Sequence, residues 1–270
     1  MTDDFLHAPL GRTGRTVFRL GLSASYRPGR DAIVYALDHG VNYFFAYGFD
    51  SQMIRTLRDV LRTRRDEVIV ATGGYNWILW RSNLRRTLET RLRQLGTDHL
   101  DVLMFLGVMK PEHFPGRVHE EMVRLREEGK VRAIGISTHD RRLAGELARR
   151  GALDLLMIRY NAAHRGAETD VFPHLEIHDP GLVSYAATRW GALLRRVKSW
   201  PKDRPVPSAG LAYRFVLSNP HVDVALTAPT NAAQLASNLA EIEKGPLSAE
   251  ESSLMREYGD VVHARRNWFM

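Results

Sequence analysis

The sequence predicts a closed barrel of eight parallel strands alternating with helices, a (β/α)8 fold of the α/β class. Three observations lead there. The hydrophobic period switches between strand and helix eight times along the chain. The strand candidates are continuous apolar runs rather than alternating ones, as strands covered on both faces must be. A chain of 270 residues with 44% hydrophobic content suits one barrel, since such folds take about 250 residues. No linker or low-complexity stretch interrupts it, so 1–270 reads as a single domain.

The elements follow in order. Pro9-Leu10-Gly11-Arg12-Thr13-Gly14 reads as a tight turn between two extended pieces, an N-terminal β-hairpin with glycine supplying the positive φ. Strand 17–22 precedes helix 30–39, and strand 41–45 precedes helix 51–62. Strand 68–72 runs into Gly73-Gly74-Tyr75 and then helix 81–95. Strand 100–105 is followed by a helix over 120–128, and strand 131–137 by helix 141–149. Strands 155–160, 182–186 and 222–227 alternate with helices 168–177, 207–217 and 231–241. A C-terminal helix over 248–263 starts with Ser248 and Glu251, the spacing of a capping box.

Composition excludes several functions. Cysteine is absent, which removes disulfides, thiolate catalysis and cysteine-held metals. No run approaches the ~20 apolar residues that cross a bilayer. The opening Met1-Thr2-Asp3-Asp4 lacks the pattern of a signal peptide, so a soluble, cytoplasmic protein without a membrane partner is expected. The net charge of +7 is carried by arginine, lysine contributing only 5 of the 38 basic residues. Arginines around 55–65 and 81–93 are interleaved with Asp59, Asp66 and Glu89, as on solvated helix faces, and no nucleic-acid partner is expected.

Candidate site residues cluster after strands, where parallel barrels place their chemistry. Strand 41–45 leads to a phenol, Tyr47, and a carboxylate, Asp50. Tyr75, Trp77 and Trp80 form an aromatic wall suited to a planar or hydrophobic substrate. His139 follows the fifth strand and His164 the sixth; together they are the expected acid–base pair, imidazole titrating near neutrality. His174 and His178 stand at i and i+4, one helical face if the segment is helical, but no third ligand accompanies them and no metal is expected.

Several runs in combination resemble the aldo-keto reductase family. They are Pro9-Leu10-Gly11-Arg12-Thr13-Gly14 with Leu20-Gly21-Leu22, Leu95-Gly96-Thr97-Asp98-His99-Leu100-Asp101, Gly129-Lys130-Val131-Arg132-Ala133-Ile134-Gly135-Ile136-Ser137, Tyr160-Asn161, and the segment from Ala228 through Gln234-Leu235 to Asn238. The resemblance implies a TIM barrel, a small carbonyl substrate, and NADPH or NADH as hydride source. Family enzymes pair a proton-donating Tyr with a Lys, an Asp and a His. Carried over residue by residue, Phe45 stands for the Asp, Gly73 for the Lys and Leu106 for the His, while Tyr47 or Asp50 takes the Tyr position. The same resemblance assigns Ser137, Asn161 and Tyr185 to the nicotinamide, with Met157 in place of a Gln. It assigns Asn238 to the adenine, puts Gln234 where the family grips a 2′-phosphate with Arg, and leaves Arg189, Arg195, Arg196, Lys198 and Arg204 as phosphate-gripping candidates.

Three functional expectations follow. The first is an oxidoreductase using NAD(P)H through an altered active site. The second is a cofactor-independent acid–base enzyme that cyclises, dehydrates or isomerises a pathway intermediate. The third is a non-catalytic binding protein.

Overall fold

A computed structural model describes residues 4–46, 51–75 and 84–265, and every structural statement below concerns these. Two strands, β1 (His7–Pro9) and β2 (Thr16–Phe18), form an antiparallel hairpin. Eight more close into a parallel barrel in the order β10-β3-β4-β5-β6-β7-β8-β9. They are β3 (Leu20–Ser23), β4 (Tyr43–Phe45), β5 (Ile69–Tyr75), β6 (Leu100–Val108), β7 (Val131–Thr138), β8 (Leu155–Arg159), β9 (Gly181–Tyr185) and β10 (Val224–Thr227). The helices between them are α1 (Arg30–Asp38), α2 (Ser51–Leu61), α3 (Leu84–Leu95), α4 (Gly116–Glu127), α5 (Arg141–Arg150), α6 (Ala167–Asp170), α7 (Ala209–Leu217) and α8 (Ala232–Ile242), with α9 (Ala249–Ala264) closing the chain.

Two apolar cores explain the non-alternating strands. One lies between barrel and helices; α3, for instance, buries Leu84, Leu88, Leu92 and Leu95 as a single helical stripe. The other fills the barrel with Tyr43, Phe45, Ile69, Val102, Met104, Leu155, Met157 and Val183, among others. Each strand therefore needs apolar residues on both faces.

The hairpin seals the amino-terminal end, where Leu10 and Val17 join the interior core. Gly11 makes that close approach possible: its φ is +44°, and an added Cβ would stand 2.2 Å from the Gly181 amide nitrogen. Carboxylates then terminate neighbouring strands. Asp101 accepts from Val70 N at 2.8 Å, Asp154 from Ile134 N at 3.0 Å, and Asp223 from Leu182 N at 2.9 Å. Arg65 and Arg126 neutralise the first two. These groups serve closure at the end of the barrel away from the strands' carboxyl termini.

The segment expected as one strand over 17–22 divides at Arg19. Phe18 pairs with His7 in the hairpin, whereas Leu20 pairs with Ala225 in the barrel. The buried Arg19 guanidinium donates to the carbonyls of Leu217 and Val222. The helix expected over 168–177 becomes the one-turn α6 followed by a 3-10 helix, Phe172–Ile177, since Pro173 removes a donor there. His174 and His178 thus share no α-helical face; an added Cβ at Gly145 would lie 3.0 Å from the first, and one at Gly151 2.7 Å from the second. No group of three metal-ligating side chains occurs among the described residues. The capping box at Ser248 and Glu251 forms as expected. No helix among the described residues is long and apolar enough to cross a membrane.

Candidate active site at the carboxyl end of the barrel

The strands' carboxyl ends open into a mouth whose deeper wall is apolar. Phe45 ends β4 at 3% exposure, Leu106 lies near the end of β6 at 3%, and Met157 on β8 at 7%. Gly73 lies opposite Met104 in the β5–β6 ladder. An added Cβ at Gly73 would stand 1.8 Å from the Met104 carbonyl oxygen, so the local backbone admits no side chain at this position.

The polar side of the mouth runs from β7 to β9. Ser137, 8% exposed, is the penultimate residue of β7. His139 follows that strand and stacks edge-on against Tyr185 at the end of β9, the ring centroids 5.5 Å apart. Arg159 ends β8 directly opposite Tyr185 in the ladder. The turn after β9 is strained: Ala186, Arg189 and Trp190 hold φ of 57°, 50° and 52°, angles that non-glycine residues keep where packing or function over-determines them. Part of the packing is visible. Asn161 Nδ2 donates to the Ala186 carbonyl at 2.9 Å, and Arg189 donates to the Val262 carbonyl at 2.5 Å.

Asn161 is fully buried, and its amide oxygen also accepts from Ala163 N and lies 3.3 Å from His164 Nδ1. Its side chain ties the turns after β8 and β9 together. His164 in turn meets His263 of α9, with centroids 5.2 Å apart. Burial pushes the His164 imidazole down to about 3, and the charges of Arg159, Arg189, His263 and Arg141 add to that. His164 is therefore uncharged at physiological pH and is not available as an imidazolium acid; His139 is the other imidazole at the mouth.

Next to β10, α8 begins at Asn231, whose side chain accepts from Gln234 N, while Gln234 Oε1 accepts from Thr230 N. Asn238, one turn on, is buried and donates to Thr227 Oγ1, which itself donates to the Tyr213 hydroxyl. Of the basic residues after β9, Arg196 donates to the Pro201 and Arg204 carbonyls and Arg204 pairs with Glu257, so both brace the loop. Arg195 and Lys198 are exposed. Tyr47, Asp50, Trp77 and Trp80 lie outside the described residues, as does the side chain of Tyr75.

The Aldo/keto reductase family model matches residues 23–260, nearly the whole barrel. The chain belongs to the aldo/keto reductase family. An NADH-specific methylglyoxal reductase of Escherichia coli is 25% identical over 201 residues, which span 61% of this chain and 62% of that protein. An oxidoreductase of Bacillus subtilis is 20% identical over 86% of this chain and 88% of its own. Among solved structures, an aldo-keto reductase of Bacillus halodurans in its holo form superposes with a TM-score of 0.77 at 21% identity, covering 93% of this chain and 95% of its own. One from Klebsiella pneumoniae in complex with NADPH gives 0.73 at 22%, covering 91% and 93%.

Phe45 and Leu106 fill with hydrocarbon the places that the resemblance gives to Asp and His. At the Lys place, Gly73 is pressed against the β6 backbone. Basic groups gather at the end of β8, in the turn after β9 and on the facing end of α9. Arg159 and His263 belong to that group, and the sequence reading did not single them out. Arg159 had a signal in the alternation Leu155, Met157, Arg159 along β8, while His263 had none, being brought in by the helix that ends the chain.

Proposed function

We propose that this protein is an NAD(P)H-dependent oxidoreductase acting on a small carbonyl compound through an altered active site. One observation carries the reading. The β7-to-β9 side of the mouth keeps a hydroxyl, an aromatic ring and a strained basic turn in order, although the residues for ordinary proton transfer have been replaced by apolar ones. Ser137 and Tyr185 fit a nicotinamide, the first by its hydroxyl and the second by its ring face. The α8 amino terminus fits a phosphate through the positive end of the helix dipole, just past the Asn231 cap. The nicotinamide would supply the hydride.

The chain's own residues supply the rest. Phe45, Leu106 and Met157 exclude water from the reacting carbonyl, which strengthens every polar contact there. Proton delivery falls to Tyr47, Asp50 or His139, since His164 is held neutral. A phenol without a cationic neighbour is a weak acid, so turnover is expected to be slow unless His139 takes the role. The first turn of α8 carries no cation where the family grips the 2′-phosphate, so NADH is expected to bind at least as tightly as NADPH.

The test is NADH oxidation with methylglyoxal, in the parent protein and in Tyr47→Phe and His139→Gln. The proton donor is the residue whose loss lowers the rate about a hundredfold or more, the usual size of an acid–base contribution. Oxidation no faster than in protein-free controls would sink the reductase reading and favour the cofactor-free enzyme.

A further inference from the structure

We infer that α9 is a positioning element for the mouth: its second half sets the geometry of the turns after β8 and β9, and Gly259 is the residue that lets it do so. The turn after β9 holds three non-glycine residues, Ala186, Arg189 and Trp190, at positive φ. Such angles are costly and persist only where the surroundings over-determine them. Here α9 supplies the surroundings, by two routes.

The direct route runs from α9 to the turn after β9. Arg189 donates to the Val262 carbonyl at 2.5 Å, and the Tyr258 hydroxyl donates to the Arg195 carbonyl. Tyr258 is fully buried and meets Trp200 edge-on, the centroids 4.9 Å apart. The indirect route passes through the turn after β8. There α9 lies on the backbone itself: an added Cβ at Gly259 would stand 2.2 Å from the Ala162 carbonyl oxygen. Glycine is among the poorest helix formers, and this approach accounts for one inside the sixteen-residue α9. Arg165 ties the same contact, donating to the Ala162 carbonyl and to Asp260, each at 2.7 Å. The neighbouring Asn161 then donates to the carbonyl of Ala186, where the strained run begins. Tyr258, Gly259 and Val262 lie on adjacent turns of one helix, so their contacts engage and release as a unit.

The turn half of this inference stands without the reductase reading; the ligand half rests on it. The experiment measures amide hydrogen exchange and NADH affinity in Gly259→Ala, Tyr258→Phe and Ser248→Ala. Gly259→Ala moves α9 off Ala162. The amides bonded within the two turns, those of His164, Arg189 and Leu193, should then exchange about tenfold faster or more, with β5 to β7 unchanged. NADH should bind about tenfold more weakly, as it would if about one molecule in ten kept the binding geometry. Tyr258→Phe keeps the ring on Trp200 and should speed exchange over 189–195 in the same direction; it carries the test alone where Gly259→Ala does not fold. Ser248→Ala removes the cap at the far end of the same helix. It should lower the melting temperature and leave both the turns and NADH affinity as they were.

Unchanged exchange in both turns of folded Gly259→Ala and Tyr258→Phe proteins overturns the inference. Weakening of NADH by Ser248→Ala as large as by Gly259→Ala overturns it too, since α9 would then act only through overall stability. Faster exchange in the turns of a protein that takes no NADH supports the turn half and overturns the reductase reading alone.

Discussion

Replacing Tyr43 by Phe should stabilise this protein. Tyr43 lies inside the barrel with its side chain fully buried, and its hydroxyl has no hydrogen-bond partner among the described residues. The ring is accommodated by Gly21, where an added Cβ would come within 2.9 Å of it. Burial pushes the phenol's titration far up, and the charge of Asp101 pushes the same way, so the group is neutral and chemically silent. An unsatisfied buried hydroxyl costs about 1–3 kcal/mol, and Phe keeps every ring contact while removing it. In a domain of this size each kcal/mol moves the melting temperature by about 2–4 °C. Thermal unfolding of Tyr43→Phe should show a rise of at least about 2 °C, with carbonyl reduction unchanged. A fall of that size would show that the hydroxyl is bonded in the folded protein and that the interior is not the apolar plug described here. Loss of activity with unchanged stability would move the chemistry from the mouth into the barrel.

Three further substitutions probe other parts of the account. Gly73→Lys combined with Phe45→Asp, which restores two family groups by name, should lower the melting temperature by several degrees and restore no ketone reduction, because the 73 Cβ meets the Met104 carbonyl; a stable, faster enzyme would refute that. Gln234→Arg should improve NADPH relative to NADH about tenfold, measured as a ratio of dissociation constants, by placing a cation at the start of α8. Asp223 is raised to about 7, chiefly by burial and secondarily by Asp179, against the amides of Leu182 and Gly11 and the charge of Arg19. Its contribution to stability is therefore fully present below about pH 4 and lost as pH rises through about 7. Asp223→Asn should flatten the fall in melting temperature between pH 5 and 8, and identical slopes in the two proteins would exclude Asp223 as its source.

The barrel was legible because its signals are local. Buried runs such as Ile134 and Ile136, the Leu84-to-Leu95 stripe and the Ser248 cap each declare an element within a dozen residues. Boundaries failed where long-range pairing overrode local pattern. β5 continues through Gly73 and Gly74 to Tyr75 because it pairs with β6 over that length. The 17–22 run breaks because its halves pair with different partners. At the mouth, the positions of Ser137 and Tyr185 could be read from strand ends. The commitment of Asn161 to the Ala186 carbonyl could not, nor could the Arg189 bond to Val262, which spans 73 residues of sequence. The neutral state of His164 depends first on its burial and then on basic groups from separate elements, Arg159, Arg189 and Arg141 among them, and no spacing in the chain encodes it.

The central claim is the proposal that the β7-to-β9 side of the mouth takes a nicotinamide cofactor. Titrating the purified protein with NADH and NADPH, read by tryptophan fluorescence, tests it most directly, with Trp190 in the strained turn after β9 as a reporter. Saturable quenching at about micromolar concentration, with NADH at least as tight as NADPH, is the predicted result. No saturable change up to about millimolar cofactor would contradict the claim and leave the mouth to a cofactor-free ligand.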